Sequence, residues 1–501
     1  MNKQEISLNP NELVKYLKKP ANEFTRDDIV RFVENYGIKV INFRYIAEDG
    51  RLKVLNFIIT SKKHLISILS SGEGVDGSSL FSYIEAGMSD LYVVPRYRTA
   101  FVNPFNEIPT LEILCSFYRA NGKPFEGASE YVLKKAHSVF KAQTGYTFKA
   151  LTELEYYVNS KSESLYPLLD QKGYHQSKPF AKFENLRLEA LDLLARAGCK
   201  IKYGHSEVGS FTKNGEDFEQ HEIEFLPVDA EDAADQLVVA KWILRMLSFK
   251  YGVEVSFAPK IIVGSAGSGL HIHLMLEKDG ANAMVSDGEL SEVALKVMAG
   301  ILKLSPALTA FGNTIPTSYL RLVPHQEAPT SICWGDRNRS ALIRVPLGWR
   351  GGTHMTVDAN PAEKAESEMG ECRQTVEFRA PDGSADIYKL LAGLVIGAKL
   401  GLHDAGYLEM AKKLYVDVNI FDEENAEKLN KLDQLPSSCW ESAESLKSLR
   451  AYFENDNIFP PSVINHVIST LKSYKDKDLS EELFGKDEEI RKLVQKYIHV
   501  M

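Results

Sequence analysis

Polar and apolar positions alternate in four short segments of the chain, and each segment predicts a β-strand with one polar face. Side chains two residues apart on a strand point to the same side of the sheet, and their neighbours point to the other. In all four segments, two ionisable residues fall on one side and apolar residues fall on the other. The four pairs are Glu153 and Glu155, Glu222 and Glu224, His271 and His273, and Glu377 and Arg379.

Longer patterns predict a hairpin and three helices. Residues 40–59 contain two apolar-rich runs joined at Asp49–Gly50, and an Asp-Gly pair between such runs is typical of a hairpin turn. Segments 129–145, 183–198 and 230–252 have helical patterns, and each closes on glycine. Short strands alternate with these helices, and the last hundred residues are mainly helical.

The length of the chain predicts more than one domain, because 501 residues exceed what a single core usually supports. Residues 1–22 are polar, and we expect an N-terminal arm that orders on a partner. Residues 23–112 suit short strands with one or two helices and predict a small domain. Residues 113–501 predict a catalytic domain, in which the polar, acidic stretch 351–373 is a surface insertion.

Composition and charge narrow the class of protein. The net charge of −9 argues against non-specific binding to nucleic acid, which needs a positive field. No segment approaches the roughly 20 uninterrupted apolar residues of a membrane span, and the polar start lacks the apolar core of a secretion signal. The five cysteines are odd in number and form no CxxC pair, which is typical of reduced thiols. We therefore expect a cytoplasmic protein without nucleic-acid or membrane partners.

The four paired strands predict a divalent metal site. For a single strand, an exposed polar face is the commoner explanation. Four such strands, two of them short and embedded in apolar sequence, would bring buried carboxylates together, and these repel one another unless they are protonated or neutralised by cations. Carboxylates with occasional imidazole suit Mg²⁺ or Mn²⁺ better than zinc, and such ions typically bridge a nucleotide's phosphates to the protein.

A cluster of arginines follows in the sequence, at Arg321, Arg337, Arg339 and Arg344. Arginine suits bidentate capture of carboxylate and phosphate, although such a cluster taken alone is more often a solvated basic face. Beside the metal strands, a site for phosphate and carboxylate is the better interpretation. The glycine-rich run 264–273 has no GK[ST] and leads into a strand, so it predicts a loop that lines a small ligand rather than a phosphate loop.

Six motifs follow one another along the chain, namely VDGSS, the E-x-E strand, GSGLHIH, RLVPHQEAP, NRSALIR and VEFRAPD. Together they resemble the motifs of glutamine synthetase type I in its long bacterial form, and the resemblance runs from about residue 30 to the C-terminus. It implies an α+β fold with a small β-grasp N-terminal domain and a larger α/β catalytic domain. In the catalytic domain, a curved antiparallel sheet would form a funnel-shaped active site. It also implies a homo-oligomer, a dodecamer of two hexameric rings with sites between subunits.

The resemblance further implies the reaction. ATP would phosphorylate the γ-carboxylate of L-glutamate to γ-glutamyl phosphate, and ammonia would displace the phosphate to give glutamine. The cofactors would be Mg²⁺ or Mn²⁺, two or three per site, with ATP as co-substrate. A carboxylate is a poor electrophile, and ammonium must lose a proton to become a nucleophile, so activation and a base are both needed.

The site residues that the resemblance implies fall into three sets. Two metal ions would be held by Glu155, Glu207 and Glu222, and by Glu153, His271 and Glu377. Nucleotide phosphates would contact His273, Arg339 and Arg344. Glutamate and ammonium would contact Arg321, Arg379, Gly267, Ser79 and Tyr174, with Asp76, Glu327 and Arg339 as catalytic residues. Asp76 would come from the neighbouring subunit, and Glu327 would lie on a loop that closes the site.

The chain departs from the family pattern at three places. Ala266 replaces an asparagine that contacts the substrate, Thr375 replaces an arginine near the nucleotide, and the segment between Glu207 and Glu222 is longer than usual. Two other functions remain open. One is a γ-glutamyl ligase for a larger amine, such as a polyamine or ethanolamine. The other is a non-catalytic structural or regulatory homologue, which we would expect to lose the metal carboxylates or the arginines.

Overall fold

In the described part of the chain, two large sheets each have their own apolar core, and β-strands and helices form an α+β arrangement. The computed structural model describes residues 3–323, 328–348, 352–364, 373–420, 423–425, 431–483 and 485–500. Within these residues, a six-stranded sheet forms the small N-terminal domain and a ten-stranded sheet forms the centre of the large domain. This confirms the predicted fold class.

The strands are named in chain order. They are β1 (Val40–Ile46), β2 (Leu52–Ile58), β3 (Glu73–Asp76), β4 (Asp90–Pro95), β5 (Phe101–Val102), β6 (Thr110–Arg119), β7 (Thr147–Lys161), β8 (Ile201–Lys213), β9 (Glu216–Phe225), β10 (Val228–Asp229), β11 (Glu254–Ser256), β12 (Leu270–Lys278), β13 (Ala281–Asn282), β14 (Val285–Ser286), β15 (Glu289–Leu290), β16 (Trp334–Asp336), β17 (Ile343–Val345) and β18 (Val376–Phe378).

The helices are named in the same way. They are α1 (Lys3–Leu8), α2 (Glu12–Leu17), α3 (Arg26–Tyr36), α4 (Lys62–Ser71), α5 (Ser129–Thr144), α6 (Glu184–Arg196), α7 (Ala230–Tyr251), α8 (Glu292–Gly312), α9 (Ser318–Arg321), α10 (Gly352–Ala359), α11 (Ile387–His403), α12 (Gly406–Lys413), α13 (Cys439–Glu454), α14 (Pro461–Ser473), α15 (Leu479–Glu482) and α16 (Asp487–Lys496).

The small domain is built on a sheet with strand order β2-β1-β6-β4-β3. The predicted hairpin is present as β1 and β2, with Asp49–Gly50 between them. The sheet extends beyond residue 112, where we expected the domain to end, because β6 continues to Arg119 and pairs with β4 along its second half. The sequence has no local signal that places the boundary after residue 119 rather than at 112, because β6 is one uninterrupted apolar-rich strand that spans both positions.

The N-terminal segment contributes to the small domain. Helix α2 begins after Asn11, whose side chain accepts the backbone N–H of Val14 at 3.1 Å. Leu13, Val14 and Leu17 of this helix are buried in the core of the small domain. Part of the predicted arm therefore packs within the chain, because the apolar side of α2 has a partner there.

The large sheet has the order β16-β17-β18-β12-β7-β9-β8. Neighbouring strands on this path pair antiparallel, except β16 with β17. Helices α5 and α7 pack behind β7, and α8 packs against α11. The three long helices that we predicted are present as α5, α6 and α7. The sheet therefore has one face covered by helices and one face free for a site.

In the described part of the chain, α8 is the one helix that is long and apolar enough to cross a membrane. Of its most apolar window, 72% is buried inside the protein. Proline at position 306 lies inside this helix, and most of its side chains belong to the main core. This burial indicates that α8 is a core helix of the large domain.

Candidate active site

The four strands with paired ionisable residues are consecutive neighbours in the large sheet, in the order β18-β12-β7-β9. Their apolar partners, such as Leu154, Ile223 and Ile272, are fully buried in the core behind the sheet. The register places His271 opposite Glu153. The ionisable residues of all four strands consequently meet on the free face, as the alternation predicts.

This face forms one wall of a cavity of about 830 Å³. Most of the predicted site residues line it. They are Glu153, Glu155, Glu207, Glu222, His271, His273, Glu377, Arg321, Arg339, Arg344, Arg379, Gly267 and Tyr174. A cavity of this size suits a nucleotide together with a small second substrate.

One carboxylate–imidazole cluster lies in the middle of the sheet, around Glu153. Its Oε2 lies 2.9 Å from Nδ1 of His271, and its Oε1 lies 2.9 Å from Nε2 of His273. Ligand atoms of Glu153, His273 and Glu377 all lie within 4.8 Å of one another. Burial opposes the ionisation of Glu153, but the charges and hydrogen bonds of the two histidines outweigh it and hold the pKa of this carboxyl well below its usual range.

A second cluster, formed by His205, Glu207 and Glu222, lies toward the β8 edge of the sheet. Nε2 of His205 lies 3.2 Å from Oε1 of Glu222, and its Nδ1 lies 3.6 Å from Oε2 of Glu207. Burial and the negative charges of Glu153 and further neighbouring carboxylates raise the pKa of Glu222 well above its usual value. The cluster would therefore gain from a cation that offsets this repulsion.

The long segment between Glu207 and Glu222 does not separate them. It forms the end of the β8–β9 hairpin, which turns at Asn214–Gly215 with positive φ at both positions. The register shifts between Ser206 and Ser210, so β8 has an irregularity at Glu207. The additional length extends the hairpin beyond the site and leaves Glu207 beside Glu222.

Glu155 connects strand β7 to the glycine-rich loop. Its Oε2 accepts the backbone N–H of Gly269 at 2.8 Å and the side-chain amide of Gln220 at 3.0 Å. Its Oε1 lies 3.9 Å from Nε2 of His271. This carboxylate is therefore held in place while one oxygen still faces the two clusters.

Two arginines hold Glu377 from opposite sides. Nη1 of Arg344 lies 2.9 Å from its Oε2, and Nε of Arg379 lies 3.0 Å from its Oε1. Burial opposes ionisation, but the positive charge of Arg379 outweighs it, and the pKa of Glu377 is lowered. Arg379 also donates to the backbone carbonyl of Arg339, whose own side chain is exposed at the cavity wall.

Arg321 is a buried part of the wall, with 5% exposure. Its Nη1 donates to the carbonyl of Ala380 at 2.8 Å. A Cβ added to Gly269 would lie 2.6 Å from Nη2 of Arg321, so only glycine allows the guanidinium to approach the loop this closely. The arginine and the glycine-rich loop therefore form one corner of the cavity.

The donor set fits hard divalent cations. Carboxylates and imidazoles from five strands or their ends face one cavity, and the described lining contains no cysteine. Burial and mutual repulsion disfavour the ionised form of Glu222, and a bound cation would remove both penalties. The residues therefore fit Mg²⁺ or Mn²⁺, as the strand pattern predicts.

Two predicted residues lie in the small domain, away from this lining. Asp76 accepts the Ser79 hydroxyl at 2.6 Å on Oδ2, and its Oδ1 accepts both the hydroxyl and the backbone N–H of Ser78. These hydrogen bonds lower the pKa of the exposed Asp76 carboxyl. Among the described residues of the cavity wall, neither Asp76 nor Ser79 occurs. Glu327 lies outside the described residues.

Sequence reasoning missed several side chains of the cavity. His205 lies two residues before Glu207 on β8, so the alternation rule could have found it. Nζ of Lys202 lies 2.5 Å from Oε1 of Glu224. The sequence has no comparable signal for Lys202, because a single lysine on a strand is usually solvated. Thr375, a predicted departure from the family pattern, is buried, and its hydroxyl lies 2.9 Å from Nδ1 of His273.

Comparisons with known proteins find relatives over most of the chain. The chain matches two family models, described as glutamine synthetase, beta-Grasp domain, over residues 37–120, and glutamine synthetase, catalytic domain, over residues 127–483. The glutamine synthetase of Clostridium saccharobutylicum is 31% identical over 434 residues, which cover 85% of this chain and 90% of that protein. The glutamine synthetase of Thermus thermophilus is 30% identical over 436 residues, with 85% and 90% covered.

Solved structures show the same fold at lower identity. Glutamine synthetase of Plasmodium falciparum, determined by electron cryomicroscopy, superposes with a TM-score of 0.71 at 20% identity, covering 94% of this chain and 98% of that one. A structure described as apo GmaS without ligand has a TM-score of 0.72 at 17% identity, covering 91% and 99%. The catalytic-domain match over most of the large domain, together with the cavity that its strands build, shows that this chain belongs to the glutamine synthetase family of ligases.

Proposed function

We propose that this protein is an ATP-dependent glutamate–ammonia ligase, which forms glutamine through γ-glutamyl phosphate. The observation that carries the proposal is the cavity wall itself. Carboxylates and imidazoles from neighbouring strands face the same space as five arginines, Arg321, Arg337, Arg339, Arg344 and Arg379. Anionic ligands for metal beside cationic groups for phosphate and carboxylate are what this reaction needs.

The metal ligands are proposed from the two clusters. Glu155, Glu207 and Glu222 would hold one ion. The other would be held by Glu153, His271 and Glu377. When bound, two or three Mg²⁺ or Mn²⁺ ions would supply positive charge that offsets the nucleotide's phosphates. His205, within 4.8 Å of ligand atoms of Glu207 and Glu222, is available as an additional donor.

The arginines divide between the two substrates in this proposal. Arg339 and Arg344, with His273, contact the phosphates and stabilise the charge that develops as the phosphoryl group moves to the γ-carboxylate. Arg321 and Arg379 hold the carboxylates of glutamate, because a planar guanidinium matches a carboxylate in a bidentate geometry. Gly267 lies at the same corner of the cavity and leaves space for the substrate.

Ammonium would be deprotonated between subunits. Tyr174 and Glu207 line the cavity, whereas Asp76 and Ser79 lie on the exposed edge of the small domain. A neighbouring copy would bring its Asp76 and Ser79 to this cavity, and the carboxylates would attract the cation and accept its proton. Glu327 would close the site and protect the acyl phosphate from water. This arrangement suits a ring, and we propose the dodecamer of two hexameric rings.

The cytoplasm is the proposed location. Cys115, Cys199, Cys333 and Cys439 are buried and free, so no disulfide joins the cysteines in the described part of the chain. Reduced, buried thiols suit a reducing compartment. Nitrogen assimilation into glutamine would take place there with ATP from the same pool.

The test is an activity assay with a choice of amines. Purified protein receives ATP, glutamate and Mg²⁺ with ammonium, ethanolamine or putrescine, and phosphate release and the amide product are measured. We expect release with ammonium and glutamine as the product. Release only with an organic amine would instead support a γ-glutamyl ligase for larger amines. No metal-dependent turnover with any of the amines would support a non-catalytic homologue.

A further inference from the structure

The last described residues of the chain are held by the segment that leads into the glycine-rich loop. This C-terminal tail, residues 498–500, follows α16 and lies against α7 and β11. Ser256 Oγ donates to the carbonyl of Ile498 at 2.5 Å, and Arg245 Nη2 donates to the carbonyl of Val500 at 2.7 Å. Between them, His499 Nε2 lies 3.0 Å from Glu254 Oε1. Contacts at three consecutive residues make the tail an ordered part of the large domain.

The tail also enters a small apolar cluster that is separate from the main core. Ile498 is 8% exposed, and Val500 packs against the same cluster. The other buried members are Tyr157, Phe211, Phe218, Ala258 and Ile261. Because the cluster has few members, Ile498 supplies a large share of its apolar surface.

The cluster supports the glycine-rich loop directly. Tyr157, one of its members, donates its hydroxyl to the carbonyl of Ala266 at 2.9 Å. Pro259 lies between the cluster members Ala258 and Ile261 in the chain, and its carbonyl accepts the backbone N–H of Ser268 at 3.0 Å. A Cβ added to Gly267 would lie 2.6 Å from the carbonyl oxygen of Pro259, so the loop runs tightly against this segment.

The other side of the loop faces the site. Ala266 and Gly267 line the cavity. The carbonyl of Gly267 accepts the side-chain amide of Gln220 at 2.9 Å, and the same amide donates to the Glu155 carboxylate at 3.0 Å. The loop therefore lies between the tail cluster and a metal-strand carboxylate, and its position depends on both.

We propose that the C-terminal tail positions the glycine-rich loop and thereby sets the affinity of the cavity for its carboxylate substrate. Ile498 is a positioning residue, which acts through Tyr157 and Pro259 on Ala266 and Gly267. The inference rests on the proposed function in one respect, that the loop contacts glutamate. Loss of the tail contact affects glutamate more than ATP, because His273 and the arginines near the phosphates lie on other segments.

Hydrogen–deuterium exchange of residues 261–269 tests the positioning without any substrate. We compare the full chain with Ile498→Asp, with the milder Ile498→Ala, and with Ile498→Leu, which keeps an apolar side chain. Gln495→Ala is the matched control, since Gln495 is exposed on α16 and lies outside the cluster. We expect faster exchange in the loop for Asp and Ala, and wild-type exchange for Leu and for Gln495→Ala. Unchanged loop exchange in a folded Ile498→Ala would overturn the proposal.

Steady-state kinetics tests the consequence for the substrate. The KM for glutamate of Ile498→Ala rises about tenfold, while the KM for ATP and kcat stay close to those of the wild type. An equal loss in both KM values and kcat would assign Ile498 a general structural role and overturn the inference. If the wild-type protein does not use glutamate, the proposed function fails, and the exchange experiment still decides whether the tail positions the loop.

Discussion

Glu153 and His273 lie on the neighbouring strands β7 and β12, and Oε1 of the carboxylate is 2.9 Å from Nε2 of the imidazole. The other carboxylate oxygen of Glu153, Oε2, is 2.9 Å from Nδ1 of His271, which lies two residues before His273 on the same face of β12. These contacts outweigh burial and keep the pKa of Glu153 low, so the carboxylate is anionic near neutral pH. The ionised carboxylate is the form that coordinates a metal ion.

Arg339→Ala should lower turnover with little change in ATP affinity. Its guanidinium is exposed at the cavity wall. We therefore expect its positive charge to stabilise the transition state of phosphoryl transfer more than it stabilises bound ATP. We expect kcat to fall by about 10²–10³-fold, measured by phosphate release, while the Kd for ATP changes by less than about threefold.

Arg339→Lys is the matched variant, because it retains the charge but loses the planar fork. It should recover part of the lost turnover. A normal kcat for Arg339→Ala would remove this residue from phosphoryl transfer.

Glu327→Ala should strongly reduce the rate of amide synthesis and leave the affinity for the nucleotide almost unchanged. In the proposed reaction, this residue takes a proton from ammonium and closes the site, and neither role contributes to holding ATP. The measurements are the rate of glutamine formation and the Kd for ATP by calorimetry. Equal loss of both would contradict the role.

The local part of the site could be predicted from the sequence, because alternation on a strand depends only on the chain's own geometry. Glu153, His271 and Glu377 were found in this way. The order of the strands could not be predicted, since β7 pairs with β12 across more than a hundred residues of intervening chain. His205 was not predicted, because its strand is half exposed and polar residues on such a strand are usually solvated.

Long-range packing also explains the differences in domain organisation. Helix α2 lies in a segment, residues 1–22, that is polar overall, yet Leu13, Val14 and Leu17 of the helix are buried in the core of the small domain. The small sheet includes β6 up to Arg119, because pairing with β4 continues past residue 112. Neither the partner of an amphipathic helix nor the length of a pairing can be inferred from local periodicity.

Mixed oligomers should test whether the site is shared between subunits. Asp76→Ala and Arg339→Ala are each expected to be inactive, because each removes one part of a composite site. Subunits of both kinds, co-expressed and purified as mixed oligomers, should regain activity at sites that combine an intact Asp76 with an intact Arg339.

The control is a mixture of the two variants purified separately and combined without subunit exchange, which should stay inactive. A co-expressed mixture that is equally inactive, despite containing both subunits, would contradict the shared site.

Glu130→Gln should stabilise the protein at alkaline pH. Burial raises the pKa of Glu130 to about 7, from a usual value of 4.5. The folded-state pKa is the higher one, so the contribution of the neutral carboxyl to stability is complete below pH 4.5 and is lost as pH rises through about 7. Glutamine stays neutral and can still accept the backbone N–H of Phe117, which lies 3.1 Å from Oε1.

We expect the free energy of unfolding of Glu130→Gln to exceed that of the wild type by about 2 kcal/mol at pH 8. The difference should shrink toward pH 5, as measured by denaturant titration across this range. Glu126→Gln, at an exposed position nearby, should follow the wild-type curve. Parallel curves for Glu130→Gln and the wild type would show that Glu130 is ionised throughout.

Anomalous scattering from crystals grown with Mn²⁺ and a non-hydrolysable ATP analogue tests the central claim most directly. The account predicts Mn²⁺ peaks inside the cavity, about 2.0–2.4 Å from carboxylate oxygens of Glu153, Glu222 and Glu377. Nucleotide bound in crystals whose carboxylates carry no metal, or Mn²⁺ bound only elsewhere on the protein, would contradict it.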